Sequence, residues 1–266
     1  PHFELRPAHT RRGRQAIQDL LTGDANVEVV ALADAFEDQL ERNLRWLKED
    51  RANTAIASRV KVNPDMRFVG FEAYKKLLAT DVDIVMLATP PGWRPLHFEA
   101  AIEARKHVFC EKPMAVDPAG VRSVIESVKK AKEKNLALVD GFVWRWTKAN
   151  RDVYEKIHNG AIGDVLAIYS SYYTGAVDRY PKWNKQNTKT DLEWQLRRWY
   201  YFTWLSGDHI VEQAVHSIDK MLWTMKDEPP ASVIATGGRQ ARGEAGGEYG
   251  NIYDHFDIVY QWANGV

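Results

Sequence analysis

"HVFCEKPMAVDP", residues 107–118, decides the fold. The run Val108-Phe109-Cys110 is apolar without alternation, the pattern of a strand covered on both faces in a parallel sheet. It stops at Glu111, Lys112 and Pro113. Pro113 fixes its own φ and biases the residue before it toward an extended backbone, so Lys112 is aimed. Asp117 then reads as an N-cap, with Pro118 at the first helical position of a helix reaching residue 134. A lysine in an ordinary surface turn is the plain alternative.

The same alternation continues on both sides. Upstream, residues 83–88 ("DIVMLA") and 27–33 ("VEVVALA") read as buried strands, the second ending at Asp34. Helices are expected over 11–21, 37–50, 71–79 and near 97–105, the first with Ala16, Ile17, Leu20 and Leu21 on one face. Downstream, residues 136–139 form a further strand. Strands alternating with helices imply βαβ units and a parallel sheet. After about residue 142 the pattern changes. Residues 164–173, 232–236 and 252–262 are strand-like, 209–225 is the one clear helix, and 243–250 reads as a loop. The expected domains are 1–142, α/β, and 143–266, α+β.

Composition narrows the classes. With 45% hydrophobic and 27% charged residues, the chain has the makeup of a globular protein with a core. Lys+Arg and Asp+Glu balance at 36 each, so no field favours nucleic acid or an acidic membrane. A single cysteine, Cys110, excludes an intrachain disulfide and a multi-thiolate zinc site. No apolar run approaches the roughly 18 residues that span a bilayer. No export signal is visible, which points to the cytoplasm, with the periplasm as the alternative if such a signal belongs to the chain's natural start.

Asp34, "ATPPGWRPLH" at 88–97, "CEKP" at 110–113 and "GDHIVEQAVHSID" at 207–219 resemble the glucose–fructose oxidoreductase, inositol dehydrogenase and MocA-like family of nicotinamide-dependent oxidoreductases. The resemblance runs from about Gly13 to the last residue. It implies a Rossmann-type parallel domain, then an α+β domain with an open, mostly antiparallel sheet that carries the substrate site and often an oligomer interface. It also implies NAD as cofactor, a carbohydrate, cyclitol or polyol as substrate, and a homo-oligomer. The lysine matching Lys112 contacts the reacting hydroxyl in this family, with Glu111 beside it to hold the ammonium. Thr89, Pro90 and Pro91 match the loop beside the cofactor, while His97 fits a structural first-turn position.

The second constellation lies on the expected helix over 209–225. Glu212 and His216 are four apart and share a face, with Asp219 three further on and His209 at the edge. Oxidising an alcohol requires removal of a hydroxyl proton, a task suited to histidine. Glu212 stands where the family often has aspartate, and orients His216. A helical ion pair without chemistry is the alternative. A metal held by His209, Glu212 and His216 is set aside, because no further ligand motif accompanies them. Sugars offer apolar C–H faces edged by hydroxyls, so Trp199, Tyr201 or Trp204 could line the substrate site, with Arg197 or Arg198 as donors. Core packing is the competing assignment for each aromatic.

Asp34 falls 21 positions after Gly13, the spacing of an acid that binds the adenosine ribose hydroxyls and so favours NAD over NADP. Set against Gly13 as third glycine, the fingerprint G-x-G-x-x-G finds Ala8 and Thr10 at its first two positions. Glu4 and Arg6 make residues 1–7 a poor central strand. The expectation is a family member lacking, or altered in, its first strand and lacking later sheet strands. Two other functions stay open: an NAD-dependent glycosidase, and a non-catalytic sugar-binding or assembly protein.

Overall fold

The side chains of residues 84–87 alternate between two hydrophobic clusters. Val85 and Leu87 are fully buried in one, with Leu77, Phe98, Ile102 and Val108. Met86 enters the other, with Ile17, Leu21, Val29 and Leu47, and Ile84 packs against it. Each face of the strand is therefore lined, which is why the run carries no polar residue.

The computed structural model describes residues 2–3, 11–175, 183–243 and 247–266. The chain divides into two compact units, Pro1–Gly141 and Phe142–Val266. In the first, β1 (His2–Phe3), α1 (Arg11–Gly23), β2 (Glu28–Val29), β3 (Leu32–Asp34), α2 (Glu37–Glu49), β4 (Arg67–Val69), α3 (Ala73–Leu78), β5 (Ile84–Leu87), α4 (Arg94–Glu103), β6 (His107–Cys110), α5 (Pro118–Glu133) and β7 (Leu138–Asp140) follow in order. The sheet order is β2-β1-β5-β6-β7, all parallel. The Asp117 carboxylate accepts from the Gly120 amide at 2.7 Å, the cap expected at the start of α5.

Two expectations for this unit change. The single strand over 27–33 is broken: β2 joins the main sheet, whereas β3 pairs in parallel with β4. The first strand is central after all, because β1 pairs with both β2 and β5. Its two residues suffice to bridge them, and Glu4 and Arg6 lie outside the described residues.

The second unit begins with α6 (Val143–Trp146) and α7 (Lys148–His158), then α8 (Asp191–Arg197), α9 (Thr203–Ser206), α10 (Asp208–Glu212) and α11 (Val215–Thr224). Strands β8 (Ser232–Gly238) and β9 (His255–Gln261) form an antiparallel pair. The expected helix over 209–225 is interrupted, because the Gln213 and Ala214 amides both donate to the His209 carbonyl at 2.9 Å. Residues 164–173 form no strand among the described residues. Alternation alone does not make a strand without a partner ladder, and Leu166, Tyr169 and Tyr173 stay exposed. Within 243–250, residues 244–246 lie outside the described residues, and the Gly250 amide closes a turn on the Gly247 carbonyl. Among the described residues no helix is long and apolar enough to cross a membrane.

Candidate functional site

In the first unit, the strand order turns back between β1 and β5, and ligands of open parallel sheets bind beyond the carboxyl ends of the strands at such a point. Asp34 closes β3, is 4% exposed, and accepts from the Phe36 amide at 2.8 Å. Its carbonyl accepts from the Gly70 amide at 2.9 Å, which fixes the turn leaving β4. Gly13 is buried in the first turn of α1. Ala8 and Thr10 lie outside the described residues.

Thr89 follows β5 and is buried, with its hydroxyl 3.4 Å from His97 Nδ1. Pro90 and Pro91 lead into a short 3₁₀ turn, Pro91–Trp93. The His97 ring packs on Tyr74 at 4.4 Å and stacks on Trp93 at 6.4 Å. Burial pushes its pKa down to about 4, so the imidazole is neutral at pH 7.

The turn after β6 is held on several sides. The Glu111 amide donates to the Leu87 carbonyl at 2.9 Å, which continues the β5–β6 ladder by one bond. Lys112 is 6% exposed and its peptide bond to Pro113 is cis. Buried Arg94 donates through Nη1 to the Glu111 carbonyl at 2.9 Å and also to the Pro113 carbonyl. Behind the turn, the Gly141 amide donates to the Cys110 carbonyl at 2.8 Å. Sequence reasoning missed Arg94 and Gly141, whose partners are main-chain atoms.

In the second unit, His216 lies in the first turn of α11, 7% exposed. Its ring meets Trp144 at 5.0 Å and, in a T-shaped pair, Phe142 at 6.2 Å between ring centres. Lys220 Nζ lies 3.5 Å from the Trp144 ring centre. Next to that tryptophan, Arg145 donates to Asp219 Oδ1 at 2.8 Å and Asp227 Oδ1 at 2.7 Å, tying α6 to α11. Asp219 is therefore engaged by arginine.

Glu212 ends α10 and is 6% exposed. Because the helix breaks after it, Glu212 and His216 do not share one continuous helical face. Gln213 Nε2 donates to Glu212 Oε2, and Gln213 Oε1 accepts from the Tyr172 hydroxyl at 2.8 Å. His209 Nδ1 lies 3.1 Å from Asp208 Oδ1 and 3.2 Å from the Tyr253 carbonyl. Both neighbours are acceptors, which assigns a proton to Nδ1. Asp208 holds this arrangement from a left-handed backbone, φ 69°, and accepts the Tyr253 amide at 2.7 Å. Neither Asp208 nor Gln213 stood out in the sequence.

Two substrate candidates change role. Trp199 and Tyr201 are 1% and 0% exposed and meet Tyr200 edge-on, so they build the core of this unit and offer no ring face to a sugar. Arg198, equally buried, donates to the Trp183 and Glu248 carbonyls at 3.1 and 2.8 Å, and Arg197 pairs with Glu193 at 2.7 Å. Trp204 remains partly exposed, its Nε1 donating to Gln195 at 2.8 Å. Among the described residues no group of three or more His, Cys, Asp or Glu is placed to hold a metal.

Comparison with known proteins gives two family matches. A family described as "Oxidoreductase family, NAD-binding Rossmann fold" matches residues 10–138, and the "GFO/IDH/MocA C-terminal domain" matches residues 150–266. An inositol 2-dehydrogenase of Pseudomonas fluorescens (strain SBW25) is 27% identical over 218 residues, 81% of this chain and 51% of that protein. A levoglucosan dehydrogenase of Pseudarthrobacter phenanthrenivorans is 27% identical over 203 residues, 70% of this chain and 48% of that protein. The chain thus spans about half the length of these curated relatives. The structure of the WlbA dehydrogenase from Bordetella pertussis, in complex with NADH and UDP-GlcNAcA, superposes with a TM-score of 0.70 at 19% identity. That alignment covers 100% of this chain and 66% of the other, and shows a shared fold.

Proposed function

Because the chain belongs to the GFO/IDH/MocA oxidoreductase family, we propose that it moves a hydride between a sugar, cyclitol or related polyol and NAD. The observation that carries this is a set of buried polar groups at carboxyl strand ends: Asp34 at the end of β3, Thr89 after β5 and Lys112 after the neighbouring β6. The residues present fit a dinucleotide. A buried carboxylate at the end of β3 suits ribose hydroxyls, and the strand order turns back between β1 and β5.

When bound, NAD supplies the acceptor for the carbinol hydride. The Lys112 ammonium donates to the reacting hydroxyl oxygen and stabilises the negative charge that develops there. On the family resemblance, His216 is assigned to proton removal in the second unit, with Glu212 as its supporting carboxylate. His209 is assigned to a substrate hydroxyl on the same resemblance. In this assignment the first unit binds the dinucleotide and the second the substrate. A cytoplasmic setting, where nicotinamide pools are kept, goes with that cofactor. The exposed apolar residues Val233, Ile234 and Val259 on β8 and β9 support a homo-oligomer.

The test is NADH formation from NAD with a panel of hexoses, cyclitols and polyols. Turnover of at least one should fall by about 10²–10⁴-fold in Lys112→Ala and in His216→Ala. Near-parental turnover in both variants overturns the proposal. Release of an aryl glycoside's aglycone without net NADH assigns the glycosidase function instead.

A further inference from the structure

Arg94 begins α4, and at 3% exposure its guanidinium has left bulk water. Burying that charge is costly unless its N–H groups are well bonded. One of its nitrogens, Nη1, bonds two main-chain carbonyls, those of Glu111 and Pro113. Those carbonyls bracket Lys112: one belongs to the residue before it, the other to the residue after. Arg94 also sits on the connection that leaves β5, five positions beyond Thr89, so a single side chain ties two adjacent strand-end loops. An exposed turn needs no such device, because water satisfies its carbonyls.

We infer that Arg94 is a positioning residue for Lys112, setting the place and direction in which the lysine leaves the backbone. The inference rests on the proposed role of Lys112 at the reacting hydroxyl. Arg94 acts through the turn and touches neither substrate nor cofactor in this role. Lysine at position 94 would keep a charge but lose the planar, preorganised donor geometry that holds two carbonyls at once. A displacement of about 1 Å at a reacting group is enough to cost roughly 10²-fold in rate.

The experiment uses the full 266-residue chain with Arg94→Lys, Arg94→Met, Arg94→Gly and, separately, Lys112→Ala. For the polyol turned over, kcat should fall by about 10–10²-fold in Arg94→Met, with KM for the polyol changed less than about threefold. Arg94→Lys should recover only a minor part of kcat. Methylguanidine added to Arg94→Gly should restore turnover, which relief of a general folding defect would not do. A second readout needs no turnover: acetylation of Lys112 by acetic anhydride, followed by peptide mass spectrometry against exposed Lys148. Slow in the parent, its rate relative to Lys148 should rise about tenfold or more in Arg94→Met, and return with methylguanidine in Arg94→Gly.

Parental kcat and parental Lys112 acetylation in Arg94→Met overturn the inference while leaving the proposed function intact. A fallen kcat and a raised Lys112 acetylation rate, neither of them reversed by methylguanidine in Arg94→Gly, also overturn it, since Arg94 would then serve only the fold. Parental turnover in Lys112→Ala removes the proposed role of Lys112 itself, a distinct failure.

Discussion

A methyl group on Gly141 would sit 2.9 Å from the Cα of Glu111 and 3.0 Å from the amide nitrogen of Lys112. Both are main-chain atoms, so no rotamer change relieves the contact. Glycine after β7 is what lets the neighbouring strand-end turn lie where it does. Gly141→Ala should destabilise the chain by about 1–3 kcal/mol, as overpacking does, and lower turnover by displacing Lys112. Thermal unfolding and steady-state kinetics measure the two effects. Unchanged values of both would mean that β7 and the Lys112 turn separate easily.

Asp34 should set the choice of dinucleotide. Its carboxylate suits two ribose hydroxyls and repels a 2′-phosphate. Asp34→Ser should narrow the ratio of NAD to NADP affinity by about tenfold or more, equivalent to about 1.4 kcal/mol. Calorimetric titration with both nucleotides decides it. A parent that already binds NADP more tightly contradicts the assignment.

His97 should make the fold sensitive to mild acid. Its folded pKa is lowered by burial to about 4 from an ordinary 6.5. Between those values the unfolded chain binds the proton and the folded chain does not, so stability falls as pH drops from about 6.5 through about 4. At about 1.4 kcal/mol per pH unit, the whole effect is on the order of 3 kcal/mol. His97→Gln should flatten this part of the stability curve, measured by urea unfolding at several pH values. A parent and variant with parallel curves would exclude His97 as the source.

Cys110 should be chemically silent in the native chain. Burial first, then the Glu111 and Asp140 carboxylates, push its thiol pKa up to about 12 against the opposing charge of Arg94. At pH 8 almost no thiolate exists, and the residue is 1% exposed. Labelling by an aromatic disulfide should require unfolding and follow its urea dependence. Rapid stoichiometric labelling without denaturant would contradict this.

Strands β5 and β6 were legible because each face meets a hydrophobic cluster. Val85 and Met86 leave no ambiguity between strand and surface loop. The Asp117 cap was legible for a local reason, since donor and acceptor lie three residues apart. Arg94 was not, because its partners are main-chain carbonyls about twenty positions away and any residue type supplies those. The break at Gln213 carries neither glycine nor proline, so periodicity ran straight through it. Trp199 and Tyr201 failed differently: composition can place aromatics near a site but cannot say which side of the backbone they fill. Tyr172 lay in a segment with a strand's alternation and no ladder, and its role emerged only through its bond to Gln213.

The two-sided lining of β5 bears on how this unit assembles in time. Neither layer of helices can complete its packing until β5 has been inserted between β1 and β6, and both insertions join segments distant in sequence. The entropy of closing those crossovers must be met before either layer rewards it, which makes the sheet centre rate-determining and folding slower than in a helical bundle. Met86→Ala and Leu87→Ala remove contacts on opposite faces, yet each should slow refolding, with fractional effects on the transition state of about 0.5–0.8. Stopped-flow refolding would register them alike. If only one slowed, the layers would form in sequence, with β5 reporting which came first.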